Sequence, residues 1–178
     1  MSFDQKIQML IDETKTKFGL GDYYLARYGL HRDVNMFNET IYTLSMEWFP
    51  KHIQIDEDAD FNPDGTAVIE IDIHSERYKS VIFVGGKCYA NGIKFEHPDL
   101  GEMVKWIERE TGLSYGKQFQ VYKEQERKYQ FRAYMNGTIV FPSGSIEIEL
   151  DSSNNLIVFT VDGQFPTQEM EREETYTL

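Results

Sequence analysis

Six residues, Asp60-Phe61-Asn62-Pro63-Asp64-Gly65, place oxygen-bearing side chains at alternate positions and end on glycine. Hard cations are held by such a pattern: in a calcium loop the first, third and fifth positions supply oxygen ligands, and the sixth is a glycine that turns sharply. The twelfth position should be a bidentate Glu, and here it is Ile71. Helices should flank such a loop, whereas the residues after Gly65 alternate as a strand does. Asp60, Asn62 and Asp64 are therefore a weak metal candidate. The plainer reading is a solvated acidic loop in which Asp56, Glu57 and Asp58 attract cations loosely.

The other residue types that carry chemistry are scattered. His31, His52, His74 and His97 are spaced by about 20 residues, with no HExxH and no i, i+4 pair that would set two imidazoles on one helical face. The single Cys88 excludes an internal disulfide and a cysteine-based zinc site, and no motif beside it would lower its thiol pKa. Gly85-Gly86-Lys87 has the look of a phosphate loop's end, but Val81 stands where the first glycine belongs and Cys88 replaces the magnesium-holding Ser or Thr. No G-x-S-x-G elbow occurs, and Ser143-Gly144-Ser145 reads as a hairpin connection. Glu70 with Asp72, and Glu147 with Glu149, sit two apart and so share a strand face, which the alternation with isoleucines makes the wet one. The expectation is a chain without catalytic residues, cofactor or firm metal site.

The aromatics say more. They make up 14% of the chain and gather before each of two similar hairpins, among them Tyr24, Tyr28, Tyr42, Trp48, Phe119, Tyr122, Phe131 and Tyr134. Two readings stand side by side. Buried rings would form a layer beneath helices, and exposed tyrosines would form a protein-binding surface, for which Tyr24, Tyr42, Tyr122 and Tyr134 are the candidates.

Charge and composition narrow the partners. A formal charge of −12 with no basic patch repels phosphate backbones, so nucleic acid is excluded as a partner. No apolar run approaches the ~20 residues of a membrane span, and the start has no basic n-region or apolar h-region. A soluble, cytoplasmic chain with a protein partner is expected. Asn38-Glu39-Thr40 and Asn136-Gly137-Thr138 fit the glycosylation acceptor but read as turn chemistry.

The elements that would position these residues follow from periodicity. Phe3, Ile7, Leu10, Ile11, Thr14 and Phe18 share one helical face after a capping box of Ser2 and Gln5, giving an opening helix of about four turns. Strands follow over about 23–31 and 40–49, then an acidic stretch, then a hairpin from Val68 onward whose second strand is apolar on both faces. A second helix starts at the N-cap Asp99, with Leu100, Met103, Val104, Trp106 and Ile107 inward, and stops at Thr111-Gly112. The remainder reads as a meander of short strands, with Asn136-Gly137 as a tight turn.

Helix, strand, strand and closing hairpin thus occur twice. Ile69–Lys87 and Ile146–Gln164 align without a gap at an offset of 77, with identities at Ile69, Glu70, Ile71, Ser75, Val81, Val84 and Gly86. The helix starts are about 96 apart, and the acidic stretch 50–65 is the expected insertion that makes the first half longer.

A helix followed by antiparallel strands and an Ile146-x-Ile148-x-Leu150-Asp151 strand turning into Leu156-x-x-Phe159 resembles the PepSY-like repeats of the YcdB/YcdC domain proteins of Bacillus-type bacteria. The first half carries Ile69, Ile71, Ile73, Val81 and Phe83, with His74 where the acid is expected. The resemblance implies a non-enzymatic module that interacts with or restrains other proteins.

The fold expected is therefore α+β: two tandem helix-plus-antiparallel-sheet repeats built of meander hairpins, residues 1–97 and 98–165, with their sheets joined edge to edge. Residues 166–178 form an acidic tail or linker, leading to a dimer contact or to further repeats in a longer parent chain. The functional expectation is a protein-interaction or regulatory module, with a small-ligand or lipid-binding module as the alternative.

Overall fold

A computed structural model describes residues 1–35, 37–56, 58, 60–139 and 144–167. Most of the expected tail, from 168 on, and Glu57 of the acidic stretch lie outside them, as does Ser143. The opening helix, α1 (Phe3–Lys17), forms as the spacing requires. The Ser2 hydroxyl accepts from Gln5 N and the Gln5 side chain accepts from Ser2 N, so two otherwise orphaned donors are satisfied. Ile7, Leu10, Ile11 and Thr14 are buried, while Phe3 stays outside. The second helix, α2 (Leu100–Thr111), is capped by Asp99, whose carboxylate accepts from Glu102 N, and it ends at Gly112 because that residue takes the left-handed φ of 73°.

Among the described residues, nine strands make one antiparallel sheet: β1 (Tyr23–Val34), β2 (Thr40–Pro50), β3 (Ala67–Asp72), β4 (Tyr78–Phe83), β5 (Phe119–Gln125), β6 (Lys128–Met135), β7 (Thr138–Ile139), β8 (Ser145–Leu150) and β9 (Leu156–Asp162). The order across the sheet is β1-β2-β3-β4-β9-β8-β6-β5, with the short β7 paired to β6 through the Asn136-Gly137 turn. The fold is α+β, mostly sheet.

Both helices pack on the same sheet face. Phe18, just past α1, meets Tyr78 edge-on at 5.0 Å, and Trp106 of α2 meets Phe159 at 4.7 Å. The rung Met46–Ile69–Val81–Phe159–Ile148–Tyr129 runs unbroken under them, and all six side chains are buried. Each is worth ~1.5–3 kcal/mol of apolar transfer, which is why register is strongly specified here. One rung over, Ser45, Glu70, Ser80, Thr160, Glu147 and Gln130 share the opposite, helix-free face.

Some features recur on the two sides of the sheet. Ile7, Leu10 and Ile11 are buried on α1 where Met103, Trp106 and Ile107 are on α2, each pair 96 residues apart. Both edge strands carry a bulge at the same place, between Leu25 and Arg27 in β1 and between Val121 and Lys123 in β5. Val81 of β4 pairs directly with Phe159 of β9, each being the residue just past its own hairpin's bulge by the same count.

That register corrects the ungapped alignment. The bulges at Glu70/Ile71 and Glu149/Leu150 set Ile71 against Leu150, and set Val81 against Phe159 rather than Val158. Val81 is buried under the helices, whereas Val158 is on the opposite face. Their identity at offset 77 is therefore a coincidence of composition. The turn acid of the first hairpin is Asp72, not missing at His74: its carboxylate accepts from His74 N and Ser75 N, as that of Asp151 accepts from Ser153 N and Asn155 N.

The residue offset between the two sides of the sheet changes mostly at the first hairpin. Tyr23–Pro50 and Phe119–Ala133 are equivalent pairs, so the offset falls from 96 to 83 across the β1–β2 hairpin. It falls only to 79 across the acidic stretch between Pro50 and Ala67. β3 stops pairing with β2 at Thr43, and β1 and β2 run on as a two-stranded ribbon, the arm, to Val34 and Thr40.

Candidate functional site

The calcium-like residues do not converge. The Asn62 amide oxygen accepts from Arg27 Nη2 at 3.2 Å, and Asp64 faces Lys87 Nζ at 3.7 Å. Two of the three oxygens are thus turned to different fixed cations. A metal loop needs its ligands aimed at one point, and among the described residues no three His, Cys, Asp or Glu side chains gather as one. Gly85-Gly86-Lys87 is the end of a 3-10 turn, Val84–Gly86, whose lysine is the one facing Asp64.

The histidines lie on separate parts of the chain: His31 on β1, His52 after β2 against the Tyr89 ring at 4.5 Å, His74 in the β3–β4 turn and His97 before α2. Cys88 is half-buried with its thiol toward the Ala90 carbonyl at 3.8 Å. Burial pushes its pKa up, so the thiol stays protonated and is a poor nucleophile.

The aromatics divide. Tyr23, Trp48, Phe119, Phe131 and Phe159 are core. Tyr23 is fully buried with its hydroxyl donating to Gly65 O at 2.6 Å and accepting from Tyr89 N at 3.1 Å, so it ties two loops to the sheet. Burial raises its pKa to about 12, and does the same to Tyr78, whose hydroxyl bonds Thr14 at 2.9 Å.

The four candidate surface tyrosines do not form one patch. Tyr24 lies on the helix-free face beside Phe49, at the β1 edge. Tyr122 lies at the other edge, on β5, covered on one ring face by Arg132 at 4.8 Å, and Tyr134 lies on the neighbouring β6, half-buried. Seven strand spacings of ~4.8 Å separate the two edges. Tyr42 is on the helix side, because it is in phase with the buried Leu44 and Met46.

What Tyr42 does join is the arm. In phase with it, and paired across the ribbon, are Tyr28, Leu30, Arg32 and Val34 of β1. Tyr28 is 59% exposed, Leu30 48%, Val34 51% and Tyr42 50%, beyond the reach of α1. Phe37 at the ribbon's tip is exposed as well. Of these only Tyr42 is among the four surface candidates that residue type suggests. The others are legible as period-2 alternation within a strand whose lack of a covering helix is a property of the assembled sheet.

A cleft of about 420 Å³ opens near the base of the arm on the helix-free face, lined by Tyr24, Arg27, Phe49, Ile55, Phe61 and Pro63. Arg27 crosses it, paired with Glu47 and stacked over Phe49 at 5.6 Å. One wall of the cleft is therefore an ion-paired guanidinium.

No family model matches this chain, and neither a curated protein nor a solved structure does.

Proposed function

We propose that the chain is a non-catalytic protein-interaction or regulatory module whose contact surface is the β1–β2 arm. One observation carries this reading. Half of the large hydrophobic residues exposed among the described residues lie on this one hairpin, namely Tyr24, Tyr28, Leu30, Val34, Phe37 and Tyr42. Concentrated exposed apolar surface on a soluble chain is where partners bind, and tyrosine is enriched at such contacts. The matched caps, helix faces and bulges support reading residues 1–97 and 98–165 as copies of one unit of the PepSY-like kind. On that reading the arm is what the first copy gained. A reducing, cytoplasmic setting suits the free Cys88, and further repeats of a longer parent chain would continue from the tail.

A second reading, a small-ligand module, has the aromatic cleft at Tyr24, Phe49 and Phe61 in its favour. Capture from a native lysate separates the two, using the full chain and a Tyr28→Ser/Val34→Ser variant as baits. A stoichiometric protein held by the native chain and lost by the variant is the expected result. A small molecule co-purifying with both baits, and no protein with either, would overturn the interaction reading.

A further inference from the structure

We infer that two copies of the chain join edge to edge through β1, antiparallel and centred on Leu30, so that one sheet continues across the interface. This rests on the arm being the contact surface and names its occupant. The backbone comes first. Ile73 N donates to Tyr42 O, so the even-numbered residues of β2 turn their peptide groups toward β3 and the odd-numbered ones toward β1. Asn35 N donates to Glu39 O, which sets the odd-numbered residues of β1 toward β2 by the same alternation. Tyr28, Leu30 and Arg32 are left presenting their N–H and C=O groups outward along the edge, whereas Val34 N already donates to Asp33 Oδ1 at 2.8 Å. Such a row is a template for another strand unless it is blunted.

The opposite edge is blunted and this one is not. β5 runs only Phe119–Gln125, and after its bulge it reads Lys123, Glu124, Gln125, then the turn residues Glu126 and Arg127. β1 after the equivalent bulge reads Arg27, Tyr28, Gly29, Leu30, His31, Arg32, Asp33, Val34, with no proline and with apolar side chains at alternate positions.

The side chains select the partner and the register. Hydrogen bonding from the even-numbered residues allows a two-fold pairing centred on an even-numbered one. Centred on Leu30, Leu30 meets Leu30 of the second copy, Tyr28 meets Arg32, and Arg27 meets Asp33, the last two contacts each occurring twice. The leucines bury apolar surface, the guanidinium of Arg32 lies over a tyrosine ring, and Arg27 gains a carboxylate on the other face. Centring on Arg32 instead would set two guanidinium groups against each other. The edge is thus complementary to itself. In a chain of net charge −12, this ribbon, where Arg27 and Arg32 balance Asp33 and Glu39, is also a place where two copies meet with little repulsion.

Sedimentation equilibrium of the full chain, at concentrations rising to ~1 mM, tests the association. The expected mass at the upper end is twice the 20.9 kDa of one chain. Leu30→Lys brings two ammonium groups together at the axis and is expected to return the chain to 20.9 kDa. Asp33→Lys, which opposes Arg27 of the second copy, weakens association independently. Both positions are exposed, so neither change disturbs the core, and a far-ultraviolet spectrum checks that. Register is read by oxidation: Leu30→Cys cross-links to itself, because directly hydrogen-bonded residues sit ~5.5 Å apart at Cα, within disulfide reach. Val34→Cys does not cross-link, because its two copies lie eight residues out of step. Monomers at every concentration, a dimer that survives Leu30→Lys, or equal cross-linking at Val34→Cys would overturn the inference. A native chain that stays monomeric but captures another protein through the arm would sink the dimer alone and leave the interaction reading standing.

Discussion

Replacing residues 32–42 by Asn-Gly, so that a two-residue turn joins His31 to Thr43, is expected to remove association while leaving the fold in place. His31 and Thr43 face each other in the ribbon and exchange backbone hydrogen bonds, which is the pair such a turn closes. None of the described residues removed is buried. The identifiable loss is the ladder bond from Ile73 N to Tyr42 O at 3.0 Å, worth ~1 kcal/mol. For a chain of this size that is a Tm lower by ~2–4 °C. Leu44 stands one residue beyond the cut, fully buried against the α1 side of the sheet. Leu44→Ala is expected to cost ~2–5 kcal/mol, and so to lower Tm by ~5–20 °C. Thermal unfolding of both variants, with mass measured beside it, makes the comparison. An arm deletion as damaging as Leu44→Ala would refute the view that the ribbon is an appendage, because it would mean that the core depends on it.

Two further outcomes concern the buried tyrosines. Tyr23→Phe keeps the ring but leaves the Gly65 carbonyl and the Tyr89 N–H without their partner, and urea denaturation is expected to show a loss of ~1–3 kcal/mol; no measurable loss would mean that water replaces the hydroxyl. Alkaline stability follows from the same groups. Tyr23 and Tyr78 hold their protons to about 12 when folded and release them at 10.0 when unfolded, so stability is fully present below pH 10 and is lost as pH rises through 12. Each contributes roughly 3 kcal/mol to that loss, and Tyr23→Phe is expected to halve the alkaline slope seen in urea midpoints.

The local elements were legible because their signals are local. Ser2 with Gln5, Asp99 with Glu102 and Gly112 delimit the helices through hydrogen bonds that reach three or four residues, and the inward residues Ile7, Leu10, Met103 and Trp106 repeat at helical spacing. Ile69, Ile71, Ile146 and Ile148 alternate with acids, which fixes a strand with one buried face. Asn136-Gly137 closes its hairpin in the two positive-φ conformations that those residue types allow.

The candidate sites were less legible, for a physical reason. A bulge adds one residue to one strand and flips every later side chain to the other face. Val81 stands two residues past the bulge at Lys79 and Val158 one residue past that at Ile157, the turn from Ile71 to Tyr78 being one residue longer than that from Leu150 to Leu156. The two valines therefore face opposite sides although they match in sequence. Likewise, Tyr24, Tyr42, Tyr122 and Tyr134 are alike in type and setting, but the pairing of β4 with β9 sets Tyr24 and Tyr42 on one side of the sheet, on β1 and β2, and Tyr122 and Tyr134 on the other, on β5 and β6.

By itself, then, the amino-acid sequence determined the two capped helices, the alternating strands, the turns and the α+β class, since each depends on neighbours within a few residues. Only the tertiary structure decided that the sheet is continuous across Val81 and Phe159, that Asp72 is the turn acid, and that β1 and β2 run past β3 as an arm with an open edge. Those are outcomes of pairing between distant strands, where hydrogen-bond register and helix cover, not residue type, settle which side chains are left to meet a partner.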